Sequence, residues 1–256
     1  MPILTPLRWD LADPLPDRAS RLMALGPQEP PLVVQLAWQL ASGEQAMAVD
    51  PFPVVLSQHL NGVELARLAA FRQPQDRWRH GLARVGLKLL LARVLGVEPP
   101  DLDIQSGHRG KPHLPPSSSV HSPPQFNGSH AGDLVVLAFH PSQAVGVDTE
   151  RLDRRCDPAR LASRVLSSQQ LSVLDTWPED QQRAFLLRQW CRLEAQLKCS
   201  GEGLAGLEAL RQAQDTQFPN TNLMDLALPE GYCGALAWAL LPSQPLIRSN
   251  SANTAA

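Results

Sequence analysis

The sequence predicts an α+β protein built as two related halves, and three observations carry that prediction. Two apolar runs, LVVLAF (134–139) and AVGVD (144–148), are short enough to read as buried strands. Longer stretches with helical periodicity lie on either side of them. An internal echo then relates the two sides. LSQ at Leu56 recurs as LSS at Leu166, and PSQ at Pro141 recurs at Pro242. Between these anchors a shift of 104 residues aligns Arg79, Leu82, Arg84 and Lys88 with Arg183, Leu186, Arg188 and Arg192. The offsets of 110, 104 and 101 keep one order, as duplicated units would. Under the 104 shift Glu194 and Lys198 fall opposite Leu90 and Val94, so two core-like positions of one copy carry an acid and a base in the other.

Taken in chain order, residues 1 to about 50 are interrupted by proline and weakly patterned. Residues 65–95 read as helix, with Leu82, Val85, Leu89 and Ala92 at 3/4 spacing and Gly96 as the C-cap. Seven basic residues and one acid, Asp76, lie between Arg67 and Arg93. Such an excess is either a solvated helix face or an anion site. A GKP turn (Gly110, Lys111, Pro112) and an exposed Pro/Ser loop (114–125) follow, then the two strands. Helices are expected at 158–165, 168–176 and 179–199. The runs LMDLAL (223–228) and YCGALAWALL (232–241) read as a closing pair of strands around PEG. The tail has little to bury and is expected to be disordered.

Composition limits the function classes. A length of 256 residues suits one large domain or two small ones, and 43% hydrophobic content can supply a core. With 23 basic against 25 acidic residues, neither a polybasic nor an acidic tail is present. The N-terminal 17 residues carry prolines and acids where a secretory leader needs an apolar run. ALAWALL is far short of the roughly 20 residues that span a bilayer. Cys156, Cys191, Cys199 and Cys233 form no C-x-x-C pair and no zinc spacing. Cys191 and Cys199, eight apart on a helix, would be more than about 10 Å apart and cannot bridge. The expectation is a reduced, soluble, cytoplasmic protein with no membrane or nucleic-acid partner.

Three clusters carry candidate chemistry. In Gly146-Val147-Asp148-Thr149-Glu150, a strand would point Asp148 and Glu150 to one face, where two carboxylates suit Mg²⁺ or simply form an acidic turn. Trp190, Glu194 and Lys198 share a helix face at i, i+4, i+8. They are either an exposed Glu–Lys pair or an acid and a phosphate-neutralising base. Phe126-Asn127-Gly128-Ser129-His130 precedes a buried strand; adjacent Ser129 and His130 rarely meet as nucleophile and base, no G-x-S-x-G elbow is present, and as polar groups at a strand start they could equally be phosphate donors. His108, His113 and His121 match no familiar zinc spacing.

The order and spacing of these segments resemble the Sfp-type 4'-phosphopantetheinyl transferases. That family's DRxR helix, GKP, FNxSHxxxxVxxAF, GVDxE and WxxxEAxxKxxGxGL read here as DRWRHGLARVGLK, GKP, FNGSHAGDLVVLAF, GVDTE and WCRLEAQLKCSGEGL. The resemblance runs from about Leu56 to Leu241. It implies two pseudo-symmetric α/β half-domains, each a small antiparallel-type sheet packed with a long helix. The expected division is 1–140, 141–245 and a disordered tail at 246–256. It implies transfer of the phosphopantetheine arm of coenzyme A to a serine of an apo acyl or peptidyl carrier protein, releasing adenosine 3',5'-bisphosphate. By carry-over, Asp148, Glu150 and Glu194 would bind Mg²⁺. Glu194 would also take the serine proton, with Lys198 and Asp148 completing the catalytic set. Arg79, Lys111, Ser129 and His130 would hold the phosphates of coenzyme A. A pseudo-dimeric monomer is expected.

Two departures from the family pattern stand out. Leu193 occupies the position of a common lysine, with Arg192 about 100° round the helix, and Gln170 stands where an acid is usual. They make a non-catalytic coenzyme A- or carrier-binding relative the alternative. Against it stand the intact Asp148, Glu150, Glu194 and Lys198.

Overall fold

Each long helix is preceded by a strand and followed by a hairpin whose last strand inserts between the other two. The computed structural model describes residues 1–11, 13–17, 22–26, 29–37, 52–107, 109–115, 123–166, 171, 174, 176–203, 205–207 and 221–240. Gln170, His108, His121, Pro242, most of the helix expected at 168–176, most of the Pro/Ser loop and the tail at 246–256 lie outside these residues.

The chain opens with β1 (Ile3–Leu4), β2 (Leu7–Asp10) and, after a 3₁₀ turn, β3 (Leu32–Ala37). Helices α1 (Phe52–His59), α2 (Gly62–Ala69) and α3 (Pro74–Leu95) follow. Next come the short pair β4 (Gln105–Ser106) and β5 (Pro112–His113), and the hairpin β6 (Gln125–Ala131) and β7 (Leu134–His140). The second half consists of β8 (Val145–Arg151), α4 (Pro158–Val165), α5 (Glu179–Ser200), β9 (Thr221–Leu226) and β10 (Tyr232–Ala239). The sheet orders are β2-β3-β7-β6 and β1-β9-β10-β8. In both, the hairpin's last strand (β7 or β10) lies antiparallel between the strand before the helix (β3 or β8) and its hairpin partner (β6 or β9). The expected α+β pair of related halves is therefore present in the topology.

Alternation along the strands sets the layers. On β7, Val135, Leu137 and Phe139 join the core under α3, while Leu134, Val136 and Ala138 face the other way. Those three meet Val145, Val147, Leu236 and Trp238 of the second sheet. The other face of β10, with Cys233, Ala235 and Ala237, packs on Leu187, Cys191 and Ala195 of α5. The result is helix, sheet, sheet, helix, as period-2 strands with two buried faces require. The division expected at 140/141 falls between β7 and β8, although β1 adds to the second half's sheet by pairing with β9.

Two expectations need correction. The helix expected over 65–95 is broken, because Pro74 starts α3 in its first turn. Proline there lacks a backbone donor and has its φ set for a helix start, so the chain ends one helix and begins another. The echo is also one residue out of register. Gly96 and Gly201, 105 apart, each end a 22-residue helix in the left-handed conformation (φ 67° and 74°), a geometry that favours glycine. Matching these caps puts Glu194 opposite Leu89 and Lys198 opposite Arg93. Residue matching could not detect the slip because Leu186 and Leu187 are both fully buried.

The basic excess of 67–93 is partly internal. Lys88, wholly buried, donates to Glu64 Oε2 at 2.6 Å, and Arg84 Nε donates to Glu64 Oε1 at 2.5 Å. Glu64 also closes the capping box of α2 with Asn61. Arg84 and Lys88 are thus the structural counter-charges of a buried acid from the preceding helix.

Candidate active site

Gly146 brings β8 and α5 together. A Cβ at this position would overlap the Ala195 carbonyl oxygen and the Cys199 nitrogen, so only glycine lets the helix backbone lie this close to the strand. With that approach made, Lys198 of α5 reaches back over β8. Its Nζ donates to Asp148 Oδ1 at 2.7 Å, to the Val147 carbonyl at 3.2 Å and to Ser129 Oγ at 3.3 Å.

The free edge of β8 faces β6, but the two strands belong to different sheets. Side chains replace the missing ladder. Asn127 Oδ1 accepts from the Val147 N–H at 3.2 Å, and Ser129 Oγ accepts from the Thr149 N–H at 3.2 Å while donating to Asp148 Oδ1 at 3.0 Å. On the opposite edge β8 pairs with β10, where Thr149 Oγ1 donates to the Cys233 carbonyl at 3.0 Å. Asp148 is 6% exposed, and its Oδ2 is buried without a partner among the described residues.

Charge is strained here. Burial and then the neighbouring charge of Asp148 push Glu150 up to about 7, against the pull of Arg154 and Lys198. Burial and Asp148 also raise Glu194, against Lys198, Arg154 and Arg164. Two glutamates raised by a neighbouring aspartate form, with it, a donor set that a hard cation would relieve. Among the described residues no three His, Cys, Asp or Glu side chains converge as a ready metal-binding group. Asp148 Oδ1 is turned to Lys198, and Glu150 is paired with Arg154.

On the β6 side, His130 meets His80 edge-on at 4.6 Å between ring centroids, and His80 stacks on Phe71 at 4.3 Å. Burial, then His80 and Arg79, lower His130 to about 4, so its ring is neutral at neutral pH. Arg79 pairs with Asp76 and donates from Nη1 to the Gly132 carbonyl at 3.1 Å; its Nε is buried without a partner among the described residues. Lys111 meets the C-terminal turn of α5, the turn that also carries Lys198, where its Nζ donates to the Cys199 carbonyl at 2.7 Å. It lines a cavity of about 550 Å³ with Arg109, His113, Gln125, Cys199 and Ser200. Burial lowers the Lys111 ammonium.

Asp148, Glu150, Glu194, Lys198 and Ser129 are therefore gathered in one place, with Arg79 and His130 beside them, and Lys111 is bonded to the carbonyl of Cys199, the residue after Lys198 in the last turn of α5. Sequence reasoning missed Asn127, His80 and Arg154. Asn127 stands inside the FNGSH run, and Arg154 is four residues beyond Glu150. His80 carries no signal that sequence reading could have used. Leu193 is buried beside Leu197, Val165, Trp190 and Leu207. Arg192 leaves in another direction to grip Asp225 of β9 with two hydrogen bonds, at 2.9 and 2.7 Å. It does not replace the absent lysine.

Comparison with known proteins finds a match in each half of the chain. Residues 52–142 match the family model "4'-phosphopantetheinyl transferase, N-terminal", and residues 144–232 match "4'-phosphopantetheinyl transferase superfamily". The chain is 32% identical over 197 residues to the 4'-phosphopantetheinyl transferase HetI of Nostoc sp., covering 74% of this chain and 83% of that protein. It is 36% identical over 126 residues to a phosphopantetheinyl transferase of Thraustochytrium sp., covering 49% and 42%. It is 33% identical over 127 residues to the 4'-phosphopantetheinyl transferase AcpT of Escherichia coli O157:H7, covering 50% and 58%. Matched in both halves and along most of the length of HetI, the chain belongs to the 4'-phosphopantetheinyl transferase family and is a transferase.

Proposed function

We propose that the protein transfers the 4'-phosphopantetheine group of coenzyme A to a serine of an apo acyl or peptidyl carrier protein, with Mg²⁺, releasing adenosine 3',5'-bisphosphate. The observation that carries this reading is the gathering of Asp148, Glu150 and Glu194 around Lys198, with Asp148 Oδ2 buried and unpartnered among the described residues. These residues fit a magnesium ion. The ion needs only one or two carboxylates when phosphate oxygens and water fill its other positions, so a closed three-carboxylate cage is not required. Asp148, Glu150 and Glu194 would hold it, and when bound it supplies charge neutralisation for a diphosphate.

The remaining work falls to the protein's side chains. The carrier serine oxygen attacks the phosphorus that bears the pantetheine arm. The bond from that phosphorus to the bridging oxygen breaks, and the bridging oxygen leaves on adenosine 3',5'-bisphosphate. Glu194, its carboxyl made more basic by burial and by Asp148, takes the serine proton. Lys198 offsets charge on the leaving diphosphate oxygen. Arg79 and Lys111 would hold phosphates, and His130, neutral before binding, would do so as an N–H donor. Phosphoryl transfer depends on such alignment and neutralisation more than on covalent help.

The protein would act as a monomer divided at about residues 140 and 141, in the cytoplasm. Among the described residues no helix is long and apolar enough to cross a membrane, and the four cysteines are free thiols. The test is to incubate the protein with coenzyme A, Mg²⁺ and several apo carriers and weigh each carrier. Gain of a phosphopantetheine mass is expected, and no gain on any carrier refutes the reading. Glu194→Gln and Asp148→Ala should each abolish transfer; near-normal turnover in either overturns its assigned role.

A further inference from the structure

Resting on that reading of the site, we propose that His80 is a positioning residue for coenzyme A binding, its ring holding the His130 imidazole in place beside Arg79. The strand geometry leaves His130 in need of such a partner. On β6, Asn127 and Ser129 bond to the second half, so Phe126, Gly128 and His130 lie on the opposite face, toward α3. Phe126 is fully buried in the core at one end of this face. Gly128, between the two, has no side chain to set against the His130 ring; a Cβ there would meet Leu137 Cδ2 at 3.0 Å. Across the sheet His130 pairs with Val135 of β7, also in that core. The remaining neighbour comes from α3.

His80 meets His130 edge-on, the rings inclined at 77° with centroids 4.6 Å apart, a favoured geometry for ring pairs. Phe71, between α2 and α3, stacks behind His80 at 4.3 Å and 20°. Burial lowers both imidazoles; Asp76 opposes it at His80 while Arg67 and Arg79 reinforce it, and His80, Arg79 and Lys198 reinforce it at His130. Two neutral rings therefore meet at neutral pH, without repulsion. The two neighbouring residues read as phosphate contacts are thus fixed in different ways. Arg79 is tied by Asp76 and by the Gly132 carbonyl. Among the described residues the His130 ring hydrogen-bonds only its own backbone, so packing against His80 is what orients it.

The experiment compares His80→Ala, which removes the ring, with His80→Phe, which keeps a ring but no N–H and no charge, in the full chain. Coenzyme A affinity is measured by calorimetry without Mg²⁺, alongside kcat, KM and a urea midpoint. A well-placed hydrogen bond to a charged phosphate matters by about tenfold, so His80→Ala should weaken coenzyme A binding about tenfold and raise KM with it. At saturation kcat should stay within about twofold, because a contact that grips the ligand throughout lowers KM without raising kcat. His80→Phe should bind within about threefold of wild type. An unchanged affinity in His80→Ala overturns the proposal. So does an equal loss in His80→Phe, which would make the His80 imidazole itself the phosphate donor.

A double substitution separates orientation from folding. In a His130→Ala background, His80→Ala should cost no further affinity, because the ring it orients is gone; two losses that multiply overturn the proposal. Phe71→Leu supplies another variant should His80→Ala lose its fold. It removes the ring stacked behind His80 and should weaken coenzyme A binding about threefold with kcat kept. Wild-type affinity in Phe71→Leu also overturns the proposal. If His130→Ala itself binds coenzyme A as wild type does, the reading of His130 as a phosphate contact fails instead, and the two failures remain distinct.

Discussion

Replacing Glu150 with glutamine should make the metal-free protein more stable while disabling it. Burial and the charge of Asp148 raise this carboxyl from its ordinary 4.5 to about 7. Because the folded value is the higher one, the stability it lends is full below pH 4.5 and is lost as pH rises through about 7. At about 1.4 kcal/mol per pH unit the ionised form costs the native state about 3 kcal/mol by pH 8, but under about 1 kcal/mol at pH 5. Glutamine imitates the neutral acid and avoids that cost. The pairing with Arg154 that glutamine loses is already contained in that raised value, because Arg154 pulls it down.

The assay is urea unfolding in EDTA at pH 5 and pH 8. Glu150→Gln should be more stable than wild type by about 2 to 3 kcal/mol at pH 8, with most of the difference gone at pH 5. Adding Mg²⁺ and coenzyme A should then raise the urea midpoint of wild type much more than that of Glu150→Gln. If Glu150→Gln is no more stable than wild type at pH 8, or is equally favoured at both pH values, carboxylate repulsion is not being held in reserve for a cation.

Three further outcomes follow from the packing. Gly146→Ala forces a methyl into the α5 backbone and should cost at least about 3 kcal/mol by chemical denaturation; an unchanged midpoint would mean that α5 does not lie against β8 at this position. Glu64→Gln leaves the fully buried Lys88 without a counter-charge and should destabilise by about 3 to 5 kcal/mol, while KM for coenzyme A is unmoved. The ring carbon of His130 should titrate by NMR near 4, and a midpoint above 6 would contradict its neutrality. Since its folded value is depressed, His130 contributes stability that is present above 6.5 and lost as pH falls through about 4.

Much of the site is legible in the sequence because its residues lie close together in the chain. GVDTE is a single strand, so the period of 2 alone places Asp148 and Glu150 on one face. Glu194 and Lys198 are one helical turn apart, and the 3.6 period places them together. Gly96 announces its own cap. Local rules cannot foresee partners brought in from elsewhere. Lys88 reads as one more cation on a basic helix, yet it is a buried counter-charge for Glu64, 24 residues earlier. The spacing of Cys191 and Cys199 rules out a bridge between them, but nothing in it indicates that Cys191 lies 3.7 Å from the sulfur of Cys233. Motif order names Ser129 but not its contacts: only the folded chain shows its hydroxyl bonded to Asp148 Oδ1 and the Thr149 N–H.

Periodicity, caps and motif order are properties of neighbouring residues, and they were enough to yield the α+β class, the duplicated plan, the family and the carboxylates. How the halves meet came from the folded chain alone. There β6 and β8 are joined through Asn127 and Ser129, Asp148 keeps one oxygen without a partner among the described residues, and Lys111 bonds the Cys199 carbonyl. Those choices depend on which edge of one sheet lies against which edge of the other. Contacts of that kind join residues far apart in the chain, and no local pattern encodes them.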